Sequence, residues 1–141
     1  MTLDGTYTHL CHTPSDINEH LPTLRKYAEG CNHVTEFGFR WGCSTYAFLA
    51  AKPKKMVSYD ITYHIEVENV NILALENGID FQFINKNVLE ANIEETDLLF
   101  LDTLHHYLQL TKELLQHADK VKKYLIFHDS YNFSNCNENL Y

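Results

Sequence analysis

Five short apolar runs punctuate the chain, at positions 34–37, 56–59, 81–84, 98–101 and 124–127. Each is continuous rather than alternating, the pattern of a strand covered on both faces. Helical spacing fills several of the intervals. Residues 44–51 follow the first run. Residues 65–77 follow the second, with Val67, Val70, Leu73 and Leu75 near helical spacing and Gly78 placed to end the helix. Residues 107–121 follow the fourth, with Leu108, Leu110, Leu114, Leu115 and Ala118 as the apolar stripe. Residues 14–30 read as a further helix, with Ser15 or Asp16 as N-cap, Pro22 kinking or dividing it and Gly30 as the stop. Alternating strands and helices predict an α/β domain, a parallel sheet with helices on both faces. A ligand in such a sheet lies beyond the carboxyl ends of the strands, at the switch point.

The chain has 141 residues, 45% hydrophobic and 21% charged, which predicts one globular domain over 1–141. The segment 12–30 is its N-terminal helical part, and 131–141, polar and rich in asparagine, is a tail. The formal net charge is −8, and the lysines are scattered or in short pairs. Nucleic acids and anionic membranes, which need clustered basic groups, are therefore not expected partners. No apolar run approaches the roughly 20 residues of a membrane span. The N-terminus has no basic region followed by an apolar one, so a cytoplasmic location is expected. Cys11, Cys31, Cys43 and Cys136 form no C-x-x-C pair and fit thiols in a reducing compartment.

Two of only five glycines, Gly38 and Gly42, stand between the first strand and the helix after it, in E-F-G-F-R-W-G-C-S. Glycine permits positive φ and lets a ligand approach the backbone closely. The helix start beyond it offers unbonded N–H groups. The stretch is neither G-x-G-x-x-G nor a P-loop, which would end in Gly-Lys-Ser/Thr. About twenty residues on, the second strand ends at Asp60, placed as the acid that accepts hydrogen bonds from ribose hydroxyls in nucleoside-binding α/β folds. The third strand is followed by Asn87, which can meet a base edge or serve as a turn residue.

These motifs, with D-L-L-F-L-D-T-L-H-H and Y-L-I-F-H-D-S further on, resemble class I S-adenosylmethionine-dependent methyltransferases of the small-molecule type. The likeness runs from residue 12 to about 131. It implies a Rossmann-like sheet of order 3-2-1-4-5 and S-adenosylmethionine as cofactor. The implied cofactor residues are Glu36, Phe37, Gly38, Gly42, Ser44, Asp60, Ile61, Asn87 and Asp102. Glu36 would orient the amino end, Gly38 and Gly42 would cradle the ligand with their backbone, and Ser15, Asp16 and Asn18 would close over the amino-acid end.

Asp102 and Asp129 stand at the ends of the fourth and fifth strands, about 4.8 Å apart per strand step. Two such carboxylates suit Mg2+. A metal on the acceptor oxygen would lower its pKa, and His105, three residues after Asp102, is the expected base. His128 stands where the sugar-modifying members carry an acid. The expected reaction is methyl transfer to a small-molecule acceptor, at oxygen; the alternative is a cofactor-binding module or assembly subunit without turnover. The pattern yields five strands where that family builds seven. Strands six and seven are not found, leaving an apolar fifth-strand edge through which copies of the chain would associate. A minimal version and a fragment answer the same observation.

Overall fold

The structure, a computed structural model, describes residues 1–103 and 107–128. Its centre is a five-stranded parallel sheet of order β3-β2-β1-β4-β5. The strands are β1 His33–Phe37, β2 Lys55–Asp60, β3 Asp80–Asn85, β4 Thr96–Leu101 and β5 Val121–Phe127. The helices are α1 Leu3–His12, α2 Leu21–Ala28, α3 Cys43–Ala50, α4 Glu66–Glu76 and α5 Tyr107–His117. The predicted sheet and its order are therefore present, with every expected strand in place.

Two apolar layers flank the sheet. Helices α1 to α4 share one layer, in which Phe48 lies edge-on to Phe100 at 5.3 Å and Val34, Met56 and Leu98 are fully covered. Phe37, Tyr59, Leu99 and Leu101 fill the other, beneath Leu110 and Leu114 of α5. The β3–β4 crossover adds Val88, Ala91 and Ile93 to this layer, with only a 3-10 helix at Val88–Glu90 in place of an α-helix. Replacing a buried phenylalanine such as Phe48 by alanine costs about 3–5 kcal/mol. Continuous apolar runs are fully buried only in the central strands β1, β2 and β4. The outer strands β3 and β5 have no fully buried residue, because among the described residues each has one neighbouring strand.

Three helical details depart from the sequence pattern. Helix α1 was not expected; Thr2 caps it by accepting the amide of Gly5, and Leu3 and Tyr7, one turn apart, are its buried face. The expected helix over 14–30 is broken. Ser15 accepts the amide of Asn18 while the Asn18 side chain accepts the amide of Ser15, and this reciprocal pair closes a turn before the 3-10 helix Asn18–His20. Pro22 lies in the first turn of α2, where its missing N–H has no partner to lose, so of the two expectations it divides the segment and does not kink a continuous helix. Finally, Leu75, Leu108 and Leu115 face solvent, and Ala74, Glu113 and His117 hold the buried positions beside them.

Candidate functional site

The carboxyl ends of β1, β2 and β4 converge on the β1–α3 loop. Gly38 leaves β1 with φ +95, and a Cβ there would stand 2.1 Å from the carbonyl oxygen of Asp102. The glycine is required by the contact of two strand ends, besides its left-handed backbone. Gly42 stands at the N-cap of α3 with φ +85, and the helix has no side-chain cap.

The loop amides are already bonded. Gly38 donates to the carbonyl of Tyr59 at 2.8 Å and Gly42 to that of Phe39 at 2.9 Å. Phe39 and Arg40 both donate to Asp60 Oδ2 at 2.9 Å, and Thr62 donates to Oδ1 at 3.0 Å. The expected open amides at Gly38 and Gly42 are thus both taken up: the Gly38 N–H ties the loop to β2, and the Gly42 N–H closes a turn within the loop. Asp60 is the clamp, and it also lines a crevice of about 430 Å³. A carboxylate offers about four acceptor positions, so three amide bonds leave it capacity for a hydroxyl.

The crevice runs from Asp60 and Ile61 past Asn87 to Thr103 and Gln109, with Gly38 and Asp102 at its floor. Ile61 is 71% exposed, an apolar side chain at the rim. Asn87 accepts the amide of Leu89 and so caps the 3-10 helix while bordering the crevice. The structure brings Gly38, Asp60, Ile61, Asn87 and Asp102 together around this one space.

Two expected ligand residues point elsewhere. Phe37 is fully buried, edge-on to Tyr59 at 5.6 Å and to His117 at 4.9 Å, so it belongs to the core layer and not to the crevice lining. Glu36 is also fully buried, and hydroxyls hold it: Thr45 donates at 2.5 Å, Ser58 at 2.8 Å, and Ser44 to the other oxygen. It ties β1 to β2 and to the first turn of α3, and is not placed to meet a ligand. Burial pushes its pKa up to about 7 against the pull of the three hydroxyls. Ser44 donates its hydroxyl into the same cluster while also bordering a second cavity.

A second cavity of about 230 Å³ adjoins the first through Arg40 and Asp102, and is bordered by Asp16, Trp41 and Cys43. Arg40, at φ +52, carries its guanidinium between Asp16 Oδ2 at 3.1 Å and Asp102 Oδ2 at 3.5 Å. Such a backbone conformation is costly for a side chain with a Cβ. Burial pushes Asp102 up to about 7, with Arg40 opposing and Glu36 adding. Burial also acts to raise Asp16, but Arg40 and then His128 bring it below the ordinary carboxylate range. Leu101 pairs with Phe127 in register, so Asp102 and His128 end adjacent strands side by side. His128 Nε2 lies 3.8 Å from Asp16 Oδ2, and its ring is edge-on to His20 at 5.9 Å.

The fold is shared with solved proteins. N-methyltransferase NodS from Bradyrhizobium japonicum WM9, in complex with S-adenosyl-L-homocysteine, superposes with TM-score 0.61 at 11% identity, over 90% of this chain and 72% of that one. The PH0226 protein from Pyrococcus horikoshii OT3 gives 0.59 at 17% identity, over 87% and 61%. The mitomycin 7-O-methyltransferase MmcR gives 0.53 at 15%, over 82% and 40%. The fold is that of the class I methyltransferases. No protein-family model matches the chain, and no curated protein matches it in sequence. The chain spans between 40% and 72% of the length of these three solved proteins.

Within this methyltransferase fold, the expected base His105 and the expected metal ligand Asp129 lie outside the described residues. Among the described residues no group of three or more His, Cys, Asp or Glu is placed to hold a metal. Asp102 faces Arg40, and the expected Mg2+ site at Asp102 with Asp129 finds no support. The sequence pattern assigns no role to Thr103, Gln109 and Glu113. The usable signal for the last two was their spacing of four, which puts both on one face of α5. No helix among the described residues is long and apolar enough to cross a membrane.

Proposed function

We propose that the chain transfers the methyl group of S-adenosylmethionine to an oxygen of a small-molecule acceptor. The observation that carries this is the 430 Å³ crevice with Asp60 at the end of β2 and Gly38 against Asp102, in a fold shared with a protein solved with S-adenosylhomocysteine. Its size falls in the range of small-molecule sites.

Asp60 accepts a ribose hydroxyl with the capacity its three amide bonds leave. Ile61 covers one side of the base. When bound, the cofactor supplies an electrophilic methyl group on a sulfonium sulfur. The acceptor enters from the smaller cavity, where Asp102 and Arg40 border both spaces. Asp102, raised to about 7, takes a proton near neutral pH. This favours a hydroxyl acceptor, which must lose its proton as it attacks. Holding the two reactants in line supplies much of the acceleration.

A second reading, nucleoside binding without transfer, is favoured by the small size of that acceptor-side cavity, about 230 Å³. Methyl-labelled S-adenosylmethionine, incubated with panels of phenols, sugars, carboxylic acids and amines, separates the two. Label on an oxygen acceptor, lost in Asp102→Asn, supports transfer. Label on amines alone overturns the oxygen assignment. Nucleoside binding with no labelled product in any panel supports the second reading.

A further inference from the structure

A further cavity, of about 230 Å³, lies between α2 and the ends of β4 and β5. Leu24, Phe100, Ile126 and Phe127 line it, and the rings of His20 and His128 border it as an edge-on pair. None of the chemistry described above uses this space.

His128 connects it to the acceptor-side cavity. Its Nε2 lies 3.8 Å from Asp16 Oδ2, and Asp16 lines the space that Arg40 and Asp102 border. The contact of Asp16 with His128 is therefore where the two spaces meet. Its two halves differ. The His128 side chain is 6% exposed, and its amide donates to the carbonyl of Leu101 at 3.0 Å. The Asp16 side chain is 51% exposed, on a bend outside any helix or strand. Ion pairs of so exposed a group contribute little, so Asp16 is the half that swings aside.

Volume argues for joining the two. Small-molecule sites begin at about 300 Å³. Neither cavity reaches that alone, and the two together pass it. An apolar cavity of about 150 Å³ already takes up benzene, so the apolar one has room for a ring. Moving such a ring from water to apolar walls is favourable. Asp102 and His128 follow paired positions of β4 and β5, so their backbones lie about 4.8 Å apart. A chain of about three to four carbons spans that distance.

We infer that the two cavities form one bipartite acceptor site, and that the acceptor is an alcohol carrying a phenyl-sized apolar group on a short chain. The hydroxyl lies against Asp102, and the apolar group lies among Leu24, Phe100 and Ile126. The inference rests on the methyl-transfer reading and names its class of acceptor. The acceptor-side cavity is small because it holds only the reacting end.

The test is NMR titration of the chain saturated with S-adenosylhomocysteine, with 4-phenylbutan-1-ol as probe and butan-1-ol as control. The phenyl compound is expected to bind at least about tenfold more tightly. Nuclear Overhauser contacts are expected from its ring to the methyl groups of Leu24 and Ile126. Thr23→Trp, at an exposed position of α2 on the cavity wall, sets an indole against that space. It is expected to bring the phenyl compound to within about threefold of butan-1-ol and to leave S-adenosylhomocysteine affinity unchanged. Thermal unfolding of the variant is followed in parallel. Should it not fold, Ile126→Ala removes part of the apolar wall and weakens the phenyl compound several-fold, with butan-1-ol unaffected. Equal affinities for the two alcohols in the wild-type chain, or ring contacts elsewhere on its surface, overturn the inference and leave the methyl-transfer reading standing. Failure of S-adenosylhomocysteine to bind removes that reading and the inference with it.

Discussion

Asp60 Oδ2 accepts the amide hydrogen of Arg40 at 2.9 Å, across 20 residues of sequence. The same oxygen accepts the amide of Phe39, so one side chain at the end of β2 fixes the backbone of the loop that ends β1. The acid that borders the crevice is also the acid that shapes it.

Asp60→Ala therefore has two effects. The amides of Phe39 and Arg40 lose their acceptor, and the chain is destabilised by roughly 1–3 kcal/mol. Affinity for S-adenosylhomocysteine falls by a similar roughly 1–3 kcal/mol as the hydroxyl contact is lost. Denaturant unfolding and calorimetry measure the two separately. An unchanged unfolding midpoint would contradict the clamp, and unchanged affinity would contradict the ribose contact.

The two loop glycines are unequal. Gly38→Ala places a Cβ 2.1 Å from a backbone oxygen that belongs to another strand, so β1 and β4 must part, at a cost above about 3 kcal/mol. Gly42→Ala meets side chains, the ring edge of Phe39 at 3.1 Å and Glu66 Cγ at 3.6 Å, besides its positive φ, and costs about 1–2 kcal/mol. Equal unfolding midpoints for the two variants would refute the strand-end contact.

Glu36 makes stability depend on pH. Its folded pKa, about 7, lies above the ordinary value of 4.5, so the folded chain binds the proton more tightly than the unfolded chain. Stability from this group is greatest below pH 4.5 and declines as pH rises to about 7, by about 3 kcal/mol at most. Glu36→Gln, which does not titrate, is expected to gain on the wild-type chain between pH 5 and pH 8. Parallel denaturation curves at the two pH values check this, and a constant difference between variant and wild type would contradict it.

Much of this was legible in sequence because its causes are local. The central strands announce themselves by continuous apolar runs, and Gly38 and Asp60 by their places at strand ends. Glu36 was misplaced because its partners, Ser44, Thr45 and Ser58, come from α3 and β2, and only the fold brings three hydroxyls to one carboxylate. Helix α1 escaped because its buried face is short and three of its ten residues are polar or β-branched threonine and glycine types that weaken helical signal. The Arg40 bridge is non-local in the same way, joining residues from 16 to 102.

Arg40 also controls the acid it faces. It lowers the pKa of Asp102, whose burial otherwise raises it. Arg40→Gln removes the opposing charge and is expected to move Asp102 above about 7. If Asp102 takes the acceptor proton, kcat rises with pH through about 7 in the wild-type chain. The rise shifts to higher pH in Arg40→Gln and disappears in Asp102→Asn. A profile identical in all three proteins would exclude Asp102 as the proton acceptor.

The most direct measurement is a crystal structure of the chain grown with S-adenosylhomocysteine. The nucleoside is expected in the crevice between Asp60 and Gln109, with a ribose hydroxyl on the Asp60 carboxylate and the sulfur toward Asp102. An empty crevice, or the nucleoside bound away from the ends of β1, β2 and β4, would contradict the account.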